Sequence, residues 1–345
     1  MYSKGMSVGG MMTGHVQGIA TDRNREYMYY SFTTCLVKTD MSGNVIGSVK
    51  GLAGHLGCIA YNEDDGRVYG SLEYKHDVIG QGILNRIGDG TDVEDGWYVA
   101  IFDVEKIDRM DMDAERDGVM TAVYLDEIIR DYAVGGGKYG CAGMDGMTFA
   151  PMPGDPEGKR YLYAAYGIYG DVDRNDNDYQ ILLRYDIDDW GRFEAPLNQQ
   201  SMHRNGPATP DDKYFVYTGN TTWGVQNLEY DPYTGYMLMA VYRGRKKSFP
   251  NFPMYAVDMK KPAVIAAHNA LGEEITVLTL AELGKRDEAS GIFGMEFPYG
   301  STGMISLGDG YFYFSQDFGN GRENPWGTNV VLYRFCSDGG FTQIS

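Results

Sequence analysis

Cysteine and histidine are both scarce, with four cysteines and five histidines in 345 residues. The cysteines (Cys35, Cys58, Cys141, Cys336) stand far apart with no Cys-x-x-Cys pair, which argues against a zinc ribbon or a dithiol redox centre. They are expected as free, partly buried thiols. No stretch approaches the roughly 20 apolar residues that a membrane span needs, and the first residues lack the basic and apolar regions of a signal peptide. The chain therefore reads as soluble and cytoplasmic by default, although an exported chain already trimmed of its signal would look the same. Positive charge is also in deficit, 30 Lys and Arg against 48 Asp and Glu, for a net charge of -18. A phosphate backbone or an anionic membrane is repelled by such a surface, so neither nucleic acid nor membrane is an expected partner. Gly-x-Ser-x-Gly elbows, phosphate-binding loops and dinucleotide fingerprints in strand-helix context are missing, which argues against a serine hydrolase and against any nucleotide cofactor.

Glycine (47), tyrosine (28) and apolar residues (43%) are abundant. β-formers interrupted by glycine turns read as mostly strand. The same short phrase recurs five times, first at Gly14-His15-Val16-Gln17-Gly18-Ile19-Ala20 and next at Gly54-His55-Leu56-Gly57-Cys58-Ile59-Ala60. Later copies open at Gly143, Trp223 and Gly291. Each is followed by a polar turn, an aromatic strand such as Tyr27–Phe32 or Tyr311–Ser315, and a third strand that in most copies ends in aspartate. The five units span about 14–52, 54–125, 143–197, 223–280 and 291–345. A strand followed by a turn of helix is expected at Ala122–Tyr132 and again at Ile275–Leu283. The leading segment, Met1–Thr13, either adds a strand to the last unit or stays disordered.

Units of four short strands with periodic glycines and aromatics are the signature of a β-propeller. The expected fold is all-β: a single five-bladed propeller of four-stranded antiparallel blades, with long top-face loops and one or two short helices. A β-sandwich gives no reason for the opening phrase to recur. The Gly-Ile-Ala…Asp…Tyr phrase resembles that of sugar-lactonase-like and NHL-type propellers, and the blade count is similar to that of arabinanase-type and fructan-processing glycosidases. None of their catalytic motifs maps onto this sequence residue by residue, so the resemblance implies the fold alone.

In a propeller the first strand of each blade lines the axis and starts at the top face. On that assignment the long connections at Lys75–Gly96, Asp108–Ala142, Gly167–Tyr179, Pro196–Thr222, Arg243–Pro253, Lys260–Ser290 and Gln316–Thr328 all belong to the top, where loops on a rigid scaffold build a binding site. Residues that start first strands and end second strands converge there. They are His15, Gln17, His55, Asp145, Gln226 and Asn227 from the first set, and Glu73, Arg243 and Asp317 from the second.

Glu73, Asp145 and Asp317 are candidates for a general acid and base across a sugar ring. His15 and His55 are catalytic candidates in a second scheme, holding a divalent metal (Ca, Mn or Mg) that acidifies the α-proton of a uronate. That chemistry resembles the histidine-rich metal sites of some propeller lyases acting on uronates and cyclic peptide lactones. Arg243, within the basic cluster Arg243–Lys247, is placed to clamp a carboxylate or a hydroxyl pair, with Gln17, Gln226 and Asn227 as polar contacts. Trp223, Tyr74 and Trp326 offer flat faces to a sugar. Asp171, Asp173 and Asn175 present oxygens at alternate positions, as in the first half of a calcium loop, yet the sixth position is Asp176 rather than glycine. The expected function is a glycoside hydrolase or metal-assisted lyase acting on an oligosaccharide or other small polar substrate. The alternative is a propeller that binds glycan or protein without catalysis. Oligomeric state is not set by the sequence.

Overall fold

The opening phrase of the first four repeats becomes the innermost strand of a sheet. In the computed structural model, which describes residues 2–87 and 93–344, these strands are Val16–Thr21, His55–Asn62, Cys141–Pro151 and Thr222–Asp231, and Met304–Gly308 supplies the fifth. They stand side by side in that order, and the fifth packs back on the first. Each pairs antiparallel with the strand that follows it in sequence. The result is a five-bladed β-propeller.

Strands inside a blade are covered on both faces by neighbouring blades, which is why Gly96–Phe102 and Tyr179–Tyr185 are buried along their whole length. The buried apolar residues form five clusters, one between each pair of adjacent blades. Tyrosines sit in these layers because a ring fills the gap while its hydroxyl reaches a carbonyl, as Tyr163 does at Pro151 (2.9 Å). Cys35, Cys58 and Cys141 are buried free thiols.

Blade five is closed from outside by the N-terminus. Gly5–Met11 pairs antiparallel with one half of Trp326–Phe335, and the C-terminal strand Phe341–Gln343 pairs with the other half. Of the leading segment, then, Gly5–Met11 form a strand.

Three expectations change. Gly291–Phe297 does not open blade five: Phe293–Gly294 pairs with Lys285–Arg286, and Met295 bridges Met254 at the outer edge of blade four. Blade four has only three paired strands, and this segment covers its edge while Met295 and Phe297 fill the layer against blade five. Second, Ile275–Leu283 holds no helix. Its backbone donors go to sheet partners on both sides, Leu278 to Phe215 and Ala281 to Ala256, whereas Asp126–Asp131 is helical as expected.

Third, several long connections do not lie on the top. Register places Phe102 opposite Val68 and Arg184 opposite Asp212, so third strands end at the bottom. From there the chain crosses the outer edge of the preceding blade: Met112–Asp113 joins blade one, Ala195 bridges Ala122 of blade two, and Val264–Ala267 with Glu274–Val277 extend blade three. An uncovered edge is a template for aggregation, and these straps remove it. The top keeps the connections after the second strands, including 75–95, which carries the helix Val78–Ile87; residues 88–92 of that insertion lie outside the described residues.

Met6 and Val8 of the closing strand are buried at 7% and 3% exposure. Removing residues 2–11 should therefore cost about 3–6 kcal/mol, read as a lower urea midpoint. An unchanged midpoint would mean that the ring closes without this strand.

Candidate active site on the top face

Two rings of positions meet at the top of the axis. The first is a β-bulge in the innermost strands. Pairing skips a residue at Gln17 in blade one, at Gly57-Cys58 in blade two, at Asp145-Gly146 in blade three and at Gln226 in blade four. A bulge kinks the strand and re-aims the extra side chain, here toward the axis. The second ring is the residue that follows, on each second strand, the position paired just before the bulge. Phe32, Leu72, Tyr166 and Val241 hold equivalent registers, so Thr33, Glu73, Gly167 and Tyr242 are equivalent, and Asp317 completes the set.

Glu73 of the second ring pairs directly with His55 at the start of the same blade's innermost strand, and Asp145 of the first ring joins them from blade three. The His55 Nδ1 atom lies 3.4 Å from Glu73 Oε1 and 3.4 Å from Asp145 Oδ1. Glu73 Oε1 also forms an ion pair with the Lys75 ammonium, and Oε2 accepts from the Met144 amide at 3.2 Å. Lys75 donates to the Ala142 carbonyl at 3.0 Å and lies 3.7 Å from Asp77. Asp145 Oδ2 accepts from the Gln226 amide at 3.1 Å. Two glycines leave the room: a Cβ at Gly143 would lie 2.0 Å from Glu73 Oε2, and one at Gly57 would lie 2.9 Å from Asp145 Oδ1.

The two carboxylates are driven apart. Burial raises Glu73, but Lys75 and His55 outweigh it and hold the group below its ordinary value. Burial and the nearby Glu73 charge push Asp145 up to about 6. Lys75 is held above its usual range because Glu73, Asp77 and Asp145 overcome its burial. Side-chain exposure is 1% for Glu73 against 10% and 11% for His55 and Asp145, so only the latter two reach the hollow. Among the described residues, His55, Glu73 and Asp145 are the one group that presents three metal-ligating atoms within 4.8 Å of one another.

The other expected site residues fall in several places. His15 is on the same face, near enough for His55 and Arg86 to add to the effect of burial and lower its pKa to about 4. Its ring nitrogen meets the Gln17 amide at 3.2 Å and its ring packs on Trp326 at 5.6 Å, so it belongs to the rim and stands outside the three-ligand group. Asn227 spans the axis, donating to the carbonyls of Gln17 (2.7 Å) and Ser301 (3.0 Å). Burial pushes Asp317 up to about 7, offset only in part by the Thr328 hydroxyl and Val16 amide. Trp223 packs edge-on against Tyr169 at the rim, with a positive φ of 68°.

Arg243 points away from the hollow, paired with Glu296 and with the Asn251 carbonyl. Its neighbour Tyr242 holds the inward position, since a slip of one residue along a strand reverses the side chain. Tyr74 is 1% exposed and donates to Gln199 Oε1 at 2.9 Å, within the layer between blades one and two, so it offers no face to a ligand. Loop 171–178 carries its own cations. Lys246 reaches Asn177 Oδ1 (2.7 Å), the Arg174 carbonyl (2.6 Å) and Asp178, and Arg174 pairs with Asp176. These cations engage side chains of the second half of the loop; Asp171, in the first half, accepts from the Asp173 amide at 2.9 Å.

Sequence reading missed Lys75, Asp77 and Tyr242. The alternation Glu73-x-Lys75-x-Asp77 is a strand-period signal that puts all three on one side, and it was available.

No family model matches the sequence, and no curated protein matches it. Among solved structures the chain is similar to the apo-form soluble aldose sugar dehydrogenase of Escherichia coli (10% identity, 93% of this chain and 97% of that chain, TM-score 0.39). It is also similar to the PQQ domain of pyranose dehydrogenase from Coprinopsis cinerea (9% identity, 91% and 81%, TM-score 0.42). A third likeness is to PorZ of Porphyromonas gingivalis (12% identity, 95% and 33%, TM-score 0.35). None of these likenesses extends to what the chain binds.

Asp317 gives a clean pH test. Its folded-state pKa near 7 exceeds the unfolded value of 3.8, so the folded state loses ground as pH rises between the two and carries the full penalty above 7. Asp317→Asn should therefore match the parent near pH 4 and be more stable at pH 8, by on the order of 1–4 kcal/mol. Denaturant unfolding at both pH values reads the difference, and equal gains at both would contradict the assignment.

Proposed function

We propose that the protein is a carbohydrate-active enzyme that works on an oligosaccharide or related polar sugar in the top-face hollow, with His55 and Asp145 as its proton-handling groups. The observation that carries this reading is the imidazole held at 3.4 Å from each of two carboxylates whose ionisations are pushed in opposite directions. Pairs of titratable groups separated in this way mark acid and base assignments. Glu73, sealed behind His55 and anchored by Lys75, is a positioning residue that stays ionised and orients the ring. Asp145, pushed up to about 6 and partly open to the hollow, is mostly ionised at neutral pH and can take a proton and return it.

Geometry favours elimination over hydrolysis. A hydrolase places its two carboxyl groups roughly 5–9.5 Å apart with the sugar between them. Here Glu73 and Asp145 share one imidazole at 3.4 Å, and Glu73 is sealed behind it, so the pair does not flank a sugar from two sides. A uronate needs only one face of this centre. The base removes the proton α to the carboxylate, the electron pair forms the ring double bond, and the C4–O bond breaks with the proton passing to the departing oxygen. Trp223, Trp326 and Tyr169 on the rim suit the apolar faces of the flanking sugars.

Asp145→Asn and His55→Gln should each lower turnover by about 100-fold or more, while ligand affinity stays within about threefold. Trp223→Ala and Trp326→Ala should instead weaken binding. Ultraviolet absorbance of unsaturated product and calorimetric titration with the same oligouronate separate the two effects. A lectin would show binding that depends on the tryptophans and no turnover on any glycan of a broad panel, and that result would refute the enzymatic reading.

A further inference from the structure

We infer that His55 Nδ1, Glu73 Oε1 and Asp145 Oδ1 together bind one divalent transition-metal cation of the manganese or zinc type, an inference that rests on the centre proposed above and adds its cofactor.

Three observations converge on it. The first is orphaned polarity. His55 and Asp145 are each only 8% exposed, and their Nδ1 and Oδ1 atoms have no hydrogen-bond partner among the described residues. Buried polar atoms are almost always paired, so two orphans aimed at one point call for something between them. The second is spacing. Two ligands about 2.1 Å from a tetrahedral ion stand about 3.4 Å apart. That is the distance from His55 Nδ1 to each carboxylate oxygen, too long for a good hydrogen bond and well suited to a shared ion.

The third is charge. Glu73, Asp145 and Asp77 surround a single ammonium, Lys75, in a region where the Glu73 and Lys75 side chains are almost sealed from solvent. With His55 neutral, as a ligand must be, two negative charges stay uncompensated, and a divalent cation cancels them. Lys75 does not block the position, because a carboxylate oxygen has a second lone pair. Gly57 keeps the space open: it occupies the bulge position where blades one, three and four carry Gln17, Asp145 and Gln226, and a Cβ there would crowd Asp145 Oδ1 at 2.9 Å. One imidazole and two carboxylates suit zinc, manganese or iron better than calcium, which prefers six to eight oxygens. With His55 Nδ1 and Asp145 Oδ1 given to the ion, His55 Nε2 and Asp145 Oδ2 remain for the proton, and the ion would acidify the α-proton of a uronate by drawing on its carboxylate.

The test is binding, independent of turnover. Protein stripped with chelator and returned to buffer is titrated with manganese(II) alone and zinc(II) alone by calorimetry, and elemental analysis counts the ions retained. One ion per chain is expected, with affinity reduced about 100-fold or more in Asp145→Asn and in His55→Ala, and unchanged in Asp317→Asn. Asp145→Asn is close to isosteric; circular dichroism confirms that it folds, and His55→Gln serves if His55→Ala does not. No ion retained by the parent at micromolar concentration, or undiminished binding in folded Asp145→Asn, overturns the inference. Turnover that survives stripping also overturns it while leaving the enzymatic reading intact. One bound ion without turnover of any glycan supports it and removes the enzymatic reading instead.

Discussion

The hollow depends on a kink held from the side. In blades two and three the bulge of the innermost strand is braced by the preceding blade: Ser31 Oγ donates to the Gly57 carbonyl at 2.6 Å, and Ser71 Oγ donates to the Asp145 carbonyl at 2.8 Å. A bulge takes a carbonyl out of the sheet ladder, and the buried serine hydroxyl satisfies it. The Asp145 backbone is thereby tied to the blade that carries His55 and Glu73. The distances among the three side chains are set by an interface between two rigid sheets and not by any loop. Blades three and four have Ala165 and Ala240 at the serine position; there the Gln226 side chain fixes itself, donating to the Trp223 carbonyl and to Asp145.

Asn227, next to the blade-four bulge, also cross-links blade four to blade one near the axis. A separate cavity of about 210 Å³ opens at the bottom, walled partly by Glu229, whose carboxyl burial pushes up to about 8. The top face thus presents one chemically differentiated wall, made by blades two and three, and a rim of aromatic rings.

Much of this was legible in the sequence because the signals are local. Turn residues and strand alternation mark the units, and polar residues at the starts of first strands and the ends of second strands lead to His55, Glu73 and Asp145. The failures share a cause too. Arg243 and Tyr242 differ by one residue, and only register decides which faces inward. Gly291–Phe297 has the glycine and apolar rhythm of an innermost strand as plainly as the true one, Met304–Gly308; what separates them is that blade four lacks a fourth strand, a fact about a distant edge. The acids of loop 171–178 give no local sign that Lys246, far along the chain, reaches Asn177 and Asp178. Each of these features concerns a partner that local pattern cannot name.

The straps over the outer edges carry a further implication. Because blade one is finished by residues 112–113, blade two by Ala195 and blade three by residues 264–277, no early blade is complete until part of the next has been made and folded against it. The ring is thus interlocked like overlapping roof tiles, each nailed down by its successor, and any fragment cut between blades would leave a raw margin behind it. Stability in such a molecule belongs to the whole circle, and the geometry among His55, Glu73 and Asp145 inherits that all-or-none character.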